Sequence, residues 1–250
     1  MLKSFPKYLL LFLFACCVKN VVLAQATADS LNTGQTNVYE NVKQDFYKKI
    51  GAQSRLYNGM QYDAYDPHIK GNACYNDVDS LHAGSVFYDG YQYNNVKMLY
   101  DIYKDELVIL IYNQFMRISL ISEKVRYFNL LDQHFIYVKN DPANSNSLKS
   151  GFYDELYGGK IQVLSKKTKS IQNSTDYTGN IIPYFSPAKD YYLLKSGKYY
   201  TVNSEGAFLD ALNDHKKEVK QFVKSNNIKF KKAPEQAMAA IAAYYDHLTD

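Results

Sequence analysis

The sequence predicts a β-rich α+β protein: an antiparallel meander forming a sandwich or barrel-like β domain, with a C-terminal pair of amphipathic helices. Three observations carry this. Between Leu81 and Val138, about six strand-like runs follow one another with little but turns between them. Connections that short serve antiparallel neighbours, because a parallel pair needs a long crossover. After Val202 the apolar repeat lengthens from two residues to the helical period.

Within the first strand group, Gly84 to Tyr88 meets Asp89-Gly90, a dipeptide that tolerates the positive φ of a tight hairpin turn. Tyr91 to Tyr103 follows, then Lys104-Asp105 as the next reversal and Glu106 to Tyr112 as a strand. In that strand Leu107, Ile109 and Ile111 alternate with Val108, Leu110 and Tyr112, so both faces are apolar and a central, doubly covered position is expected. Phe115 to Ile121, Val125 to Leu131 and His134 to Val138 complete the group. Lys139 to Ser150 reads as a polar loop separating a second β group, hence two sheets or two parts of one barrel. There Gly151 to Tyr157 and Lys160 to Ser165 are joined by Gly158-Gly159 as a two-residue hairpin. Lys166 to Gly179 reads as loop, and Ile181 to Phe185, Asp190 to Leu194 and Lys198 to Val202 as strands, with Pro183 confining its strand to an edge.

The helical ending starts at Ser204, an N-cap residue, and runs from Glu205 to Ser225 with Phe208, Leu212, Val219, Phe222 and Val223 mainly on one face. A second helix opens on Pro234, favoured at a first helical position, and carries Ala237, Ile241, Tyr244, Tyr245 and Leu248. The domain organisation is therefore residues 41–203 as the β-rich part, with residues 204–250 packed on it.

The first residues carry a different signal. Lys3 and Lys7, the apolar run Tyr8 to Val18 and the small-residue site Ala24-Gln25-Ala26 read as an export signal over residues 1–26. Its minority alternative is a lipid anchor at Cys16, within the lipobox-like Leu13-Phe14-Ala15-Cys16, where Phe14 is bulky for that motif. Residues 27–40 are small and polar, a lead-in, and Asn41 to Ile50 reads as a short helix. No later run approaches the roughly 20 apolar residues of a spanning helix.

Removal of residues 1–26 takes Lys3, Lys7 and Lys19 and no acid, leaving 26 basic against 25 acidic residues. A net charge of +1 excludes a whole-surface case for nucleic-acid binding, which needs a large basic excess. Cys74 is then the sole thiol, so no intramolecular disulfide forms.

Tyrosine is the compositional outlier, with 25 tyrosines and no tryptophan. Tyr57, Tyr62, Tyr65 and Tyr75 lie in the turn-rich stretch Gly51 to Ser80 and are candidates for stacking on a ligand such as a sugar; packing within a β-rich fold accounts for most of the tyrosines without one. The same region collects Asp63, Asp66, His68, Asp77, Asp79 and His82, ligand types whose spacing matches neither the calcium-loop nor the helical zinc pattern. Lys216, Lys217, Lys220 and Lys224 are candidates for contact with anions such as lipid headgroups or acidic glycans, against the simpler reading of a solvated helix face. Asp154 and Glu155 would serve a hydrolase only with distant partners, because adjacent strand residues face opposite ways. No cofactor fingerprint is present, and Gly158-Gly159-Lys160 fails as a phosphate loop at Asp154 and Ile161.

Tyr57-Asn58-Gly59, the run Tyr88-Asp89-Gly90-Tyr91-Gln92-Tyr93-Asn94-Asn95-Val96, and Leu99-Tyr100-Asp101, after an export signal, resemble a group of uncharacterised exported proteins of Bacteroidota. The resemblance spans most of the chain beyond residue 26, implies an envelope location, and brings no catalytic residue with it. The expectation is an exported, non-catalytic binding or structural protein of the periplasm or cell envelope, whose partner is a protein, a glycan or a lipid headgroup. A glycan-binding tyrosine surface and a hydrolase are its rivals.

Overall fold

The computed structural model describes residues 54–111, 116–143 and 147–249, together with residues 42 and 51. The export signal, Cys16, the lead-in and all of the Asn41 to Ile50 helix except Val42 lie outside the described residues.

The strands are β1 (Gly59–Gln61), β2 (His82–Tyr88), β3 (Tyr91–Asp101), β4 (Glu106–Leu110), β5 (Arg117–Leu120), β6 (Val125–Leu130), β7 (Gln133–Val138), β8 (Gly151–Gly158), β9 (Gln162–Thr175), β10 (Ile181–Lys195) and β11 (Lys198–Thr201). They form one antiparallel sheet of eleven strands in the order β1-β5-β4-β3-β2-β6-β7-β8-β9-β10-β11. Among the described residues the strands form neither a two-sheet sandwich nor a closed barrel. The polar loop after Val138 does not open a second sheet, because Val138 and Gly151 on either side of it are cross-strand partners.

The β5–β6 connection also departs from a simple meander. Those strands are four positions apart, a separation of about 19 Å in a flat sheet at about 4.8 Å per strand. Leu120 to Val125 reaches at most about 18 Å fully extended, and three of the intervening residues, Ser122–Lys124, are wound into a 3-10 turn. The connection is satisfied only because the sheet is strongly coiled. The same coiling brings Tyr100 of β3 against Phe135 and Phe152 of β7 and β8, with ring centroids 5.2 and 5.8 Å apart.

Cross-strand partners share a face, and the register carries one row through Tyr93, Val86, Phe128, Phe135, Asp154, Ser165 and Tyr191. This inner row is aromatic and aliphatic over β3 to β7 and turns polar at β8 and β9. β4 is buried on both faces at Leu107, Val108 and Ile109, as its two-sided apolar pattern implies. Behind it Cys74, Leu99 and Val108 pack with Tyr62 and Leu81, so the turn-rich stretch lines the outer face of β3 and β4.

Two hairpins differ from their sequence pattern. Ser165 does not end its strand: β9 runs to Thr175 and β10 continues from Ile181 through Pro183 and Pro187 to Lys195, paired along the whole length. The polar alternation of this arm conceals it, since much of residues 170–181 is exposed on both faces. Pro183 is tolerated because β11 pairs only with Tyr192 to Lys195, leaving that stretch of β10 outside the β10–β11 ladder. The β8–β9 turn contains Gly159, Lys160 and Ile161 rather than two glycines, because Gly158 pairs with Gln162.

Three helices follow, not two: α1 (Glu205–Ala211), α2 (Lys216–Ser225) and α3 (Pro234–Leu248). Ser204 caps α1 by accepting from Ala207 N. The expected Glu205 to Ser225 helix breaks at Leu212 (φ −99°, ψ 38°), where Asn213 to His215 form a 3-10 turn. The break lets Asp214 accept from Lys195 Nζ and from the Tyr245 hydroxyl, both at 2.6 Å. Ala237, Met238, Ile241 and Ala242 of α3 pack with Phe208 and Leu212 against Val163, Tyr191 and Leu193 on the inner face of the sheet. Among the described residues, no helix is long and apolar enough to cross a membrane.

Candidate functional site

Strand alternation divides β9 between two environments. Val163, Ser165, Lys167 and Lys169 share the face that the helices cover at Val163, whereas Leu164, Lys166 and Thr168 face the other way. A cleft lies along each side.

The helix-side cleft, of about 510 Å³, is lined by Tyr75, Asp77, Lys167, Lys169, Lys189 and Glu235 among others. Lys167 Nζ meets Asp154 Oδ2 at 2.9 Å, the Tyr75 hydroxyl at 3.1 Å and Glu235 Oε1 at 3.3 Å. Lys189 Nζ reaches the same Glu235 oxygen at 2.8 Å. Burial draws the Lys167 pKa down, but Asp154 and the Tyr75 hydroxyl outweigh it and hold the ammonium above its ordinary value. Burial lifts the Asp154 carboxyl against the pull of Lys167; the short contact favours the ion pair. Glu235, partly buried, is nonetheless held low by Lys189 and Lys167. Lys169, almost wholly buried, donates to the carbonyls of Asn72 and Cys74 and to Asp77 Oδ1. These lysines knit loop, sheet and helix together.

The cleft on the opposite face, of about 450 Å³, is lined by Tyr153, Lys166, Asp190, Tyr192, Tyr199 and Thr201, together with Ser147 to Lys149. Leu148 packs on Tyr153 and Leu164, with Tyr192 and Tyr199 alongside; no helix residue joins that cluster. Lys166 Nζ is tied to Asp105 Oδ2 at 2.6 Å and to the Phe152 carbonyl at 2.8 Å, and it lies 4.9 Å from the Tyr153 ring centroid. Asp190 accepts from Asn203 Nδ2 at 2.7 Å. The Tyr153 hydroxyl donates to the Lys149 carbonyl at 2.9 Å. The Tyr192 and Tyr199 hydroxyls have no hydrogen-bond partner among the described residues. Burial raises the pKa of both, so they are protonated phenols at neutral pH.

The tyrosines singled out from the sequence are placed differently. Tyr62 and Tyr65 come together, with centroids 6.5 Å apart, and both donate to Asp101 Oδ2, at 2.9 and 2.5 Å. Asp101 is fully buried and also accepts from the Tyr103 and Lys104 amides, while Lys104 Nζ sits 4.8 Å from each ring centroid. Burial and Asp101 push both phenols well above their ordinary pKa. Tyr75 stands apart, in the core against Tyr100 and Phe135. Tyr57 ends the 3-10 turn Arg55–Tyr57.

Among the described residues, no group of three or more histidine, cysteine and acidic side chains is placed to hold a metal ion. Asp66 pairs with His68 at 2.7 Å, His82 bonds Ser80 at 2.9 Å, and Asp77 is engaged by Lys169; Asp63 accepts from Gln61, and Asp79 is exposed. Lys216, paired with Asp210, and the exposed Lys217, Lys220 and Lys224 lie together on α2. Asp154 and Glu155 face opposite ways: Asp154 binds Lys167, and Glu155 lies 3.7 Å from His134 and accepts from Gln162. Burial, then Asp101, raises the Cys74 thiol to about 11.

No family model, no curated protein and no solved structure matches the chain.

Lys166, Lys167 and Lys169 were hidden because the stretch after Ser165 reads as loop. The signal that would have found them is the lack of glycine, proline, asparagine or aspartate from Ile161 to Gln172, which leaves the chain nowhere to turn.

Proposed function

We propose that this is an exported, non-catalytic binding protein of the cell envelope, and that it takes a small polar ligand in the tyrosine-walled cleft between β8 and β11. The observation that carries the reading is this cleft itself: two half-buried tyrosines whose hydroxyls are not engaged by the described residues, on a sheet face that the helices leave open. Its volume of about 450 Å³ falls within the roughly 300–1,000 Å³ of small-ligand sites. The export signal supports the location. The non-catalytic part is supported by how the reactive side chains are held: a lysine, tyrosine or cysteine base or nucleophile needs a lowered pKa, whereas Lys167, Tyr62, Tyr65, Tyr192, Tyr199 and Cys74 are shifted upward, and Lys166, the cleft lysine that burial draws downward against the pull of Asp105, is tied up in a 2.6 Å ion pair with that carboxylate.

The test is a thermal-shift screen of the purified protein against divalent metals, glycans and lipid headgroups. A ligand at about 100 times its Kd stabilises by about 2.7 kcal/mol. A saturable shift that Tyr199→Ala removes is the expected result. Shifts indifferent to Tyr199, or none in any class, defeat the assignment of this cleft.

A further inference from the structure

We infer that the ligand of the β8–β11 cleft is a neutral glycan, one of whose pyranose rings lies on the Tyr192 and Tyr199 side chains. This deepens the reading of the cleft as a ligand site and rests on it. Leu194 and Tyr199 are direct cross-strand partners, as are Tyr192 and Thr201, so Tyr192, Tyr199 and Thr201 share one face of the β10–β11 hairpin in neighbouring positions. Tyr153 meets Tyr192 edge to face, with centroids 5.9 Å apart and planes at 73°, and so forms a wall rather than part of the floor.

The chemistry offered is mixed in a particular way. An aromatic face is electron-rich and attracts the weakly positive C–H groups on one side of a sugar ring. Around it stand phenol and threonine hydroxyls, which both donate and accept. A purely apolar ligand would strand these hydroxyls at the cost of desolvation. A polyhydroxylated ring satisfies both kinds of surface.

Charge selects the neutral class. Of the lining residues Lys149 and Lys166 are positive and Asp190 is negative, and Asp105, outside the lining, neutralises Lys166 in a 2.6 Å ion pair. The sum is zero, and Lys166 and Asp190 are already engaged. An acidic glycan would find no net field to hold it.

The experiment is isothermal titration of the full chain with chitotetraose, cellotetraose and maltotetraose, and with a heparin tetrasaccharide as the acidic counter-probe, at low and high salt. Binding of at least one neutral tetrasaccharide is expected, unchanged between the two salts and weakened at least tenfold by Tyr199→Ala. Tyr199→Phe, which keeps the ring, is expected to retain most of the affinity, and a far-ultraviolet melt of each variant separates lost binding from lost folding. Three results overturn the inference: no neutral tetrasaccharide binds, only heparin binds with steep salt dependence, or Tyr199→Ala leaves the affinity intact. If the neutral glycans fail while another ligand gives a Tyr199-dependent thermal shift, the glycan inference falls and the cleft assignment stands. If no ligand responds to Tyr199, both fall.

Discussion

Asp246, near the end of α3, joins the helical layer to the sheet through the β8–β9 turn, and its removal should be felt across the whole domain. Its carboxylate accepts from the Lys160 amide at 2.6 Å, the Ile161 amide at 3.2 Å and the Tyr157 hydroxyl at 3.0 Å. It is only 8% exposed, so water replaces little of what is lost. Hydrogen bonds to a charged group contribute about 1.5–3 kcal/mol each, and three that share one carboxylate are not independent. Asp246→Ala is therefore expected to cost about 3–5 kcal/mol, in line with loss of a buried charged partner. For a chain of this size that lowers Tm by roughly 6–20 °C. Gly159 supplies an internal control: a Cβ there would stand 2.1 Å from Asp246 Oδ2 and 2.8 Å from the Tyr157 hydroxyl. Gly159→Ala should be strongly destabilising in the native background and distinctly less so with Asp246→Ala, a coupling of at least about 1 kcal/mol. Urea unfolding followed by circular dichroism, with a common slope for the four proteins, reads both quantities. A loss below about 1 kcal/mol for Asp246→Ala, or additive effects of the two substitutions, would refute the reasoning.

Two further predictions concern charges that tertiary structure has brought together. Asp214 is held down to about 2 because the hydrogen bonds from Lys195 and Tyr245 overcome the effect of its slight burial. A folded pKa below the unfolded value of about 3.9 means that its stabilisation is complete above about pH 4 and is lost as pH falls through about 2. Asp214→Asn should flatten the acid side of the stability profile, and urea midpoints for the two proteins that run parallel from pH 4 to pH 2 would contradict this. Lys167→Met leaves Asp154, whose side chain is 2% exposed, without its ammonium partner, and should cost about 3–5 kcal/mol by chemical denaturation. Adding Asp154→Leu should restore most of it, since removing both charges also removes the desolvation penalty; a double variant no better than the single would show that packing, not charge, sets the cost.

Much of the local structure was legible because it rests on short-range physics. The Asp89-Gly90 turn does hold both residues at positive φ (49° and 85°), since those residue types tolerate that region. The two-faced apolar pattern of Glu106 to Tyr112 marked a strand covered on both sides, of which β4 takes up Glu106–Leu110 while Tyr112 lies outside the described residues, and Pro234 marked the start of α3. Where side chains alternate polar with polar, as in Lys166 to Thr175, strand pairing leaves no hydrophobic period, and the backbone ladder to β10 decides the conformation.

The amino-acid sequence by itself determined where most strands and turns lie, which residues of each strand share a face, and that two apolar helical faces needed a surface to cover, because period and turn chemistry are properties of neighbours in the chain. Tertiary structure alone decided that β6 returns to pair with β2, that the sheet coils into one open layer, and that the helices take the inner face. Those choices depend on contacts between distant residues: the Tyr100, Phe135 and Phe152 rings, the Lys167, Asp154 and Glu235 cluster, and the Asp246 carboxylate on the β8–β9 turn. By covering one side of β8–β11 and not the other, they determine which tyrosines are core and which line a cleft. Tyr75 became core against Phe135, and Tyr192 and Tyr199 were left at an open face, although nothing in their immediate neighbours along the chain distinguishes them.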